Sequence, residues 1–293
     1  MKLFIFGLGY STSAFVRAYG AQFESVAATT RANDRRIDIA GRSVELHSIR
    51  DGRLDENALA QVAGATHLLI SIPPDREGDP SLRASAATIE RSRACRWIGY
   101  LSSVAVYGDH QGAWVDEGGA LNATSARGRE RIAAEREWLE FGARIGAATH
   151  VFRLAGIYGP GRNALVNLRD GKAKRLIKPG QIFNRIHVDD IAMIVDASIK
   201  RGRQGGIWNV ADDEPAPPQD VVTFAAALLG VPPPPEVPFD AAQLTPMAAS
   251  FYADNKRIAN EKAKRLLGVA LGRPTYREGL RALAAAGFER PRA

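Results

Sequence analysis

Short apolar runs alternate with longer amphipathic stretches along the first half of the chain. Apolar runs of four to eight residues predict strands, and stretches with apolar residues three and four apart predict helices. The predicted strands are Lys2–Phe6, Ser25–Thr29, Val44–His47, His67–Ile72, Trp97–Ser102 and Thr149–Leu154, and the predicted helices are Thr12–Tyr19, Asp55–Val62, Leu82–Arg91 and Ala126–Gly142. Strands that alternate with helices predict an α/β fold with a doubly wound parallel sheet.

Beyond about Pro160 this alternation loosens. Further helices are predicted at Val188–Lys200, Gln219–Leu229, Asn260–Leu267 and Tyr276–Ala285, separated by proline-rich joints such as GVPPPPEVP. Such joints are stiff, so we interpret them as rigid loops of a smaller C-terminal lobe. We expect a nucleotide-binding domain over 1–160 with part of 185–215, and an interleaved substrate-binding lobe over about 161–184 and 215–293.

The composition is that of a soluble globular protein, with 45% hydrophobic and 24% charged residues. The net charge of +7 comes from arginines scattered along the chain, so we expect an anionic small molecule rather than nucleic acid as the ligand. No apolar run approaches the ~20 residues of a membrane span. With one cysteine and no secretory pattern at the start, we expect a cytoplasmic protein without a membrane partner. The five histidines show no paired spacing, so no metal is expected.

The stretch FGLGYSTSAF follows the first predicted strand and opens the first predicted helix. In that context Gly7 permits a sharp turn, and Gly9 lets the backbone approach a pyrophosphate at the helix N-terminus, beside Tyr10. Thr12 stands where a third glycine is expected, and the hydroxyls of Ser11 and Thr12 are candidate phosphate donors. The alternative is an ordinary strand–helix turn.

The end of the second predicted strand reads AATTRANDRR. An NAD-specific protein carries a carboxylate about twenty residues after the glycines, to bind the ribose. Here Thr29, Thr30 and Arg31 stand at that place, and an arginine can pair with a 2′-phosphate. The pattern therefore favours NADP over NAD, with a solvated charged turn as the alternative.

Further motifs follow in order along the chain: HLLISIPPD, YLSSVAVYGD, FRLAGIYGPGRNAL, FNRIHVDDIA, WNVADDEP and NKRIANEKAKRLLG. Together with GLGY, they resemble the extended short-chain dehydrogenase/reductase family in its NAD-dependent epimerase/dehydratase branch. The resemblance covers nearly the whole chain. It implies a Rossmann domain whose small lobe closes over the nicotinamide end of the cofactor.

The resemblance also implies roles for individual residues. Ser103 matches the serine that hydrogen-bonds the reacting substrate oxygen. The positions implied to contact the cofactor are Ser71, Ile72 and Pro73 under the adenosine and ribose, Ser102 at the end of its strand, and Ala155 and Ile157 at the nicotinamide. The positions implied to line the substrate cleft are Tyr107, Arg162, Asn184 and Arg185, which would suit an anionic group such as a sugar phosphate or carboxylate. A homodimer through Ala126–Gly142 is expected from the family alone.

The family's Tyr-x-x-x-Lys pair is missing. In the segment ATSARGRERIAAERE, the aligned residues are Ser125 and Arg129. A serine hydroxyl is a far poorer acid than a tyrosine assisted by an ammonium group, whereas Arg129 can still hold ribose hydroxyls. Tyr158 is the first candidate for a substitute acid and Tyr107 the second, although both also suit packing roles. A shift of the alignment by a few residues is a further explanation, but no tyrosine lies between Tyr107 and Tyr158, so such a shift cannot restore a tyrosine acid.

Two functions remain open from the sequence. The chain is either an oxidoreductase or epimerase with an atypical active site, acting on an anionic sugar nucleotide or carbonyl compound, or a non-catalytic NADPH-binding sensor or scaffold. His187 and Asp189 are interpreted as structural, with an aspartate at the N-cap of the following helix.

Overall fold

A computed structural model describes residues 1–31, 35–49, 52–202 and 204–288, which form fourteen strands and ten α-helices. The strands are β1 (Lys2–Phe6), β2 (Ser25–Thr29), β3 (Arg36–Ile39), β4 (Arg42–His47), β5 (His67–Ile70), β6 (Trp97–Ser103), β7 (Trp114–Val115), β8 (Ala148–Leu154), β9 (Gly156–Tyr158), β10 (Arg175–Ile177), β11 (Arg185–His187), β12 (Gly206–Val210), β13 (Glu236–Pro238) and β14 (Arg257–Ile258). The helices are α1 (Tyr10–Tyr19), α2 (Glu56–Gly64), α3 (Pro80–Ser92), α4 (Ala126–Ile145), α5 (Ala164–Arg169), α6 (Val188–Arg201), α7 (Pro218–Leu229), α8 (Pro246–Phe251), α9 (Glu261–Leu267) and α10 (Tyr276–Ala285).

Eight strands form the central sheet in the order β12-β8-β6-β5-β1-β2-β4-β3. Every neighbouring pair is parallel except the edge pair β3 and β4, which forms a hairpin. The predicted doubly wound α/β fold is therefore confirmed. Each predicted strand and helix is present, with ends that differ by a few residues.

Helices cover both faces of the sheet. On one face, Phe15 and Val16 of α1 pack with Ile191 and Val195 of α6 against the sheet. On the other face, α2, α3 and α4 contribute a separate apolar cluster that includes Trp138. Because helices cover both faces, both sides of the inner strands are buried, which explains why these strands are nearly continuous apolar runs.

Several helices begin where a short polar side chain caps them. The Asp55 carboxylate accepts from the backbone N–H of Ala58 at 2.8 Å and starts α2, and Asp79 caps α3 immediately before Pro80. The expected aspartate cap of α6 is wrong. The imidazole Nδ1 of His187 accepts from the backbone N–H of Asp189 at 3.2 Å, and the aspartates lie in the first turn instead.

A smaller apolar cluster lies beyond the sheet and joins α5, α7 and α10. Its buried members are Tyr158, Leu165, Ala216, Val221, Ala225, Tyr276, Leu280 and Leu283. The pairs β10–β13, β11–β9 and β14–β7 are short parallel bridges outside the central sheet. Across the described ranges, no helix combines the length and apolar character needed to cross a membrane.

Candidate functional site

The central sheet reverses its winding between β1 and β5. From β1 the chain runs through α1 to β2 on one side, and later returns through α2 to β5 on the other side. In a doubly wound sheet, the crevice outside the carboxyl ends of the strands at this point is where ligands bind. Gly7 follows β1 and Ser71 follows β5, and the backbone N–H of Ser71 donates to the carbonyl of Phe6 at 2.8 Å.

Gly7 makes the turn that the sequence predicted. Its φ is +94°, a region that favours glycine, and an added Cβ would lie 3.0 Å from Cγ1 of Ile72. The backbone N–H of Gly7 donates to Oγ1 of Thr29 at 2.8 Å. The turn is therefore closely packed between the loop after β5 and the end of β2.

Gly9 leaves open space where Gly7 does not. It caps the amino end of α1 with an extended backbone, and a Cβ added there would meet no atom within 4 Å. The first turn of α1 contains no acidic residue. Since the helix dipole and the free N–H groups make this end positive, the space beside Gly9 suits an anionic group.

Thr12, which replaces the third glycine, closes the loop on itself. It is buried, and its hydroxyl donates to the carbonyl of Gly7 at 2.9 Å while accepting from the N–H of Gly9 at 2.8 Å. The expectation that this hydroxyl donates to a phosphate therefore needs correction, because its single proton is already engaged. Ser11 is also buried.

Among the described residues, Thr29, Thr30 and Arg31 at the end of β2 offer no carboxylate. Thr29 uses its hydroxyl to hold Gly7, and the N–H of Thr30 donates to the carbonyl of His47 at 2.8 Å. Arg31 and Arg35 are exposed on this edge, while residues 32–34 lie outside the described residues. The predicted preference for NADP stays a prediction at this position.

The two serines at the end of β6 point into different environments. Ser102 is buried, and its hydroxyl donates to Oε1 of Glu135, so it is not available to a ligand. Ser103 is half-buried, and its hydroxyl oxygen accepts from the N–H of Ala105 at 3.2 Å. Of the two hydroxyls, only that of Ser103 can face the crevice.

Behind these serines lies a buried network that the sequence analysis missed. Arg153 and Glu135 form an ion pair at 2.8 Å with side chains only 3% and 4% exposed. Arg153 also donates to the hydroxyl oxygen of Tyr107 at 2.9 Å, and that hydroxyl donates to Oδ1 of Asn209 at 2.6 Å. A charge inside an apolar strand, as in THVFRL, is the pattern that indicates such a pair.

Tyr107 therefore does not face a substrate. The whole residue is buried, and burial raises the pKa of its hydroxyl to about 12. Its ring also lies under the guanidinium of Arg153, 4.9 Å from the ring centroid. The geometry favours the packing role for this tyrosine.

Tyr158, the first candidate for a substitute acid, points away from the crevice. Its hydroxyl donates weakly to the carbonyl of Thr275 at 3.4 Å and packs against Gly279 of α10. Burial raises the pKa of this hydroxyl far above its ordinary value. Its geometry also favours a packing role.

The two residues aligned with the missing pair, at the start of α4, are both exposed. Ser125 is exposed and caps α4, accepting from the N–H of Gly128 at 3.1 Å, and Arg129 is exposed and donates to the carbonyl of Thr124. Arg131 lies instead on the half-buried side, where it donates to the carbonyl of Leu101 on β6 at 3.2 Å. Arg131 and Glu135 are four residues apart, so they lie on the same face of α4.

The residues predicted to meet a substrate differ in availability. Asn184 is used on both sides of its amide, donating to the carbonyl of Lys256 and accepting from the N–H of Ile258. Arg185 donates to the carbonyls of Phe183 and Ala216 under the ring of Tyr276.

Both residues therefore join chain segments outside the central sheet. Arg162 is the exposed residue of that predicted set. Its guanidinium lies over the ring of Tyr10 at the start of α1.

Positions that are exposed or half-buried form a row along the carboxyl edge of the sheet. After β8, Ala155 is buried, Gly156 is exposed and Ile157 is half-buried. Gly156, Ser103, Ser71 and Gly9 follow β8, β6, β5 and β1, which are neighbours in that order. Within the described part of the chain, no three His, Cys, Asp or Glu side chains are grouped so that they could share a metal ion.

Comparison with known proteins identifies relatives of this arrangement. The sequence profile of the NAD dependent epimerase/dehydratase family matches residues 82–211. A solved conserved protein of unknown function from Silicibacter pomeroyi is 47% identical, with a TM-score of 0.86 and a match over 98% of this chain and 99% of that one.

Two further relatives are more distant. A 3-diazoavenalumate denitrifying reductase from a Streptomyces species is 29% identical over 144 residues, which cover 44% of this chain and 45% of the reductase. The match thus spans less than half of that protein. The dTDP-glucose 4,6-dehydratase of Bacillus anthracis, solved in complex with NAD, is 17% identical over 97% of this chain and 96% of that one, with a TM-score of 0.75. At that identity the likeness shows the fold alone.

Proposed function

Since the chain belongs to the NAD-dependent epimerase/dehydratase family, we propose that it binds a pyridine dinucleotide along the carboxyl edge of the sheet and acts as an oxidoreductase or epimerase on an anionic small molecule. The observation that carries this proposal is the row of exposed or half-buried positions at Gly9, Ser71, Ser103 and Gly156, at the carboxyl ends of four neighbouring strands. A ligand with two linked nucleotides needs such an extended crevice.

The residues at the amino end of α1 fit the diphosphate of such a cofactor. A Cβ at Gly9 would fill the open space, and no acidic residue in the first turn of α1 would repel the phosphates. When bound, the nicotinamide ring of the cofactor supplies or accepts a hydride. The N–H groups of α1 would hold the diphosphate, and the turn at Gly7 would fix their direction.

We propose NADP as the preferred cofactor. The support is the absence of a carboxylate at Thr29 and Thr30, together with the exposed guanidinium of Arg31 at the end of β2. A carboxylate there would repel a 2′-phosphate, whereas a guanidinium can bind it in a bidentate manner.

The proposed chemistry uses Ser103 and Arg131 without a tyrosine acid. Ser103 would hydrogen-bond a substrate oxygen, and Arg131, which donates to the carbonyl of Leu101 on β6, would provide positive charge beside it. The hydroxyls of Tyr107 and Tyr158 are engaged elsewhere. The Streptomyces relative is named as a reductase, which supports reduction over epimerisation as the reaction.

A binding titration tests the cofactor proposal. The substitution Gly9→Glu places a carboxylate in the open space without backbone strain, and we expect it to weaken NADPH binding about a hundredfold or more. The matched control is Gly64→Glu, which adds the same charge at an exposed position at the end of α2. Equal affinity in both variants, or no binding of NADH and NADPH by the unchanged protein, would contradict the proposal.

A turnover assay separates the enzyme from the sensor. We expect consumption of NADPH with at least one member of a panel of sugar nucleotides, aldehydes and quinones, and loss of that turnover in Ser103→Ala with NADPH affinity unchanged. The engaged hydroxyls of Tyr107 and Tyr158 favour the sensor or scaffold as the second candidate. NADPH binding without turnover across the panel, with a change in protease sensitivity on binding, would support that candidate instead.

A further inference from the structure

Arg162 is a cation with an aromatic support and no anionic partner among the described residues. Its guanidinium carbon lies 5.9 Å from the centroid of the Tyr10 ring, and the side chain is exposed. No described carboxylate lies within ion-pair distance of it. An arginine held over a ring keeps its N–H donors free in the plane of the guanidinium, so this side chain is available to an anion.

The turn that carries Arg162 is fastened to the first residue of α1. The hydroxyl of Tyr10 donates to the carbonyl of Pro160 at 3.0 Å. Gly159 and Arg162 exchange two backbone hydrogen bonds, of 2.9 and 3.0 Å. At Gly159, where φ is +155°, an added Cβ would lie 2.6 Å from the Tyr10 hydroxyl oxygen, so the turn packs directly on that side chain.

The same end of α1 is where the proposed function puts the diphosphate of the cofactor. Gly9 precedes Tyr10 in the chain and leaves its space open, while Arg162 lies over the Tyr10 ring. We propose that Arg162 binds the diphosphate of the dinucleotide as a second positive group beside the helix terminus, with Tyr10 as its platform. This inference rests on the proposed function, and it assigns to the cofactor a residue that the sequence analysis gave to the substrate.

The position of this turn would link the cofactor to the small lobe. Asn163, the next residue, donates to the carbonyls of Gly159 and Phe288, and its Oδ1 accepts from the N–H of Val166 in α5. Leu165 of α5 belongs to the apolar cluster of the small lobe. One contact between Arg162 and the diphosphate would therefore hold this part of the lobe against the nucleotide-binding sheet.

The test compares three ligands that share a diphosphate: NADH, NADPH and ADP-ribose, which lacks the nicotinamide. We expect Arg162→Gln to weaken all three by the same factor, between about tenfold and about a hundredfold, because one charge-assisted hydrogen-bonding group is lost. Arg162→Lys keeps the charge but not the planar fork, so it should recover part of the affinity. The salt dependence of binding should become shallower in Arg162→Gln.

Arg17→Gln is the matched control, since it removes an exposed arginine from the last turn of the same helix. We expect its affinities to equal those of the unchanged protein. A loss confined to NADPH would assign Arg162 to the 2′-phosphate, and unchanged affinity for all three ligands would leave it to the substrate; either result overturns the inference alone. If the unchanged protein binds neither NADH nor NADPH, the inference and the proposed function both fail.

Discussion

The buried ion pair between Glu135 and Arg153 offers a direct test of how the site is supported. The two side chains are 4% and 3% exposed, and Nη2 of Arg153 lies 2.8 Å from the carboxylate. Replacing Glu135 by Gln removes one charge and leaves the guanidinium buried without its counterion. Breaking a buried pair in this way costs about 3–5 kcal/mol of the free energy of unfolding.

The matched control is an exposed pair of the same length. Arg144 and Glu90 are also 2.8 Å apart, but their side chains are 61% and 42% exposed. Water screens that pair, so Glu90→Gln should cost less than about 1 kcal/mol. Urea unfolding followed by far-UV circular dichroism measures both values on the same protein.

A double-mutant cycle completes the test. Arg153→Met alone leaves the carboxylate of Glu135 buried and removes the donor to Tyr107, so it should also be strongly destabilising. The variant with both Glu135→Met and Arg153→Met buries no unpaired charge, so its loss should be well below the sum of the two single losses. Additive losses, or a loss in Glu135→Gln no larger than in Glu90→Gln, would refute the reasoning.

Three further results are expected. Thr12→Val leaves the N–H of Gly9 and the carbonyl of Gly7 without their partner, so it should lower the unfolding free energy by about 1–3 kcal/mol and weaken NADPH binding. Urea unfolding and a binding titration measure the two effects. Full stability in the variant would argue against the hydrogen-bonded loop. Tyr158→Phe loses only a 3.4 Å contact, so any turnover that is found should survive, and its loss would return Tyr158 to the list of candidate acids. Burial lowers the pKa of His150 to about 4, below the ordinary value of 6.5. The neutral imidazole therefore stabilises the fold above pH 6.5, and this stabilisation is lost as the pH falls towards 4. Urea unfolding should show a cost of about 3 kcal/mol by pH 4 that is absent in His150→Asn; equal pH slopes in both proteins would contradict this.

The sequence was sufficient for the larger part of the fold because its signals there are local. Alternation of apolar runs with amphipathic stretches located the inner strands of the sheet and the helices that cover it. Within the central sheet, the strands β3 and β12 were not predicted, and neither were the short strand pairs outside it. Residues Arg36–Asp38 of β3 are exposed, and β12 is a short strand that pairs with β8 at the other edge. Both depend on a distant partner more than on their own pattern.

The glycine loop shows what a sequence can and cannot decide about a site. Gly7 could be predicted from the motif, because a turn with positive φ directly after a strand favours glycine. The direction of the Thr12 hydroxyl could not, because the donor and acceptor that engage it are placed only by the closed loop.

The same division applies to the groups near the crevice. The sequence by itself determined that the Tyr-x-x-x-Lys pair is absent and that arginine stands after the second strand. Only the tertiary structure decided that Ser102 faces Glu135, that Tyr107 is held by Arg153, and that Arg131 rather than Arg129 lies against β6. The physical reason is that the orientation of a polar side chain follows its hydrogen-bond partners, and these partners lie on strands and helices far apart in the chain.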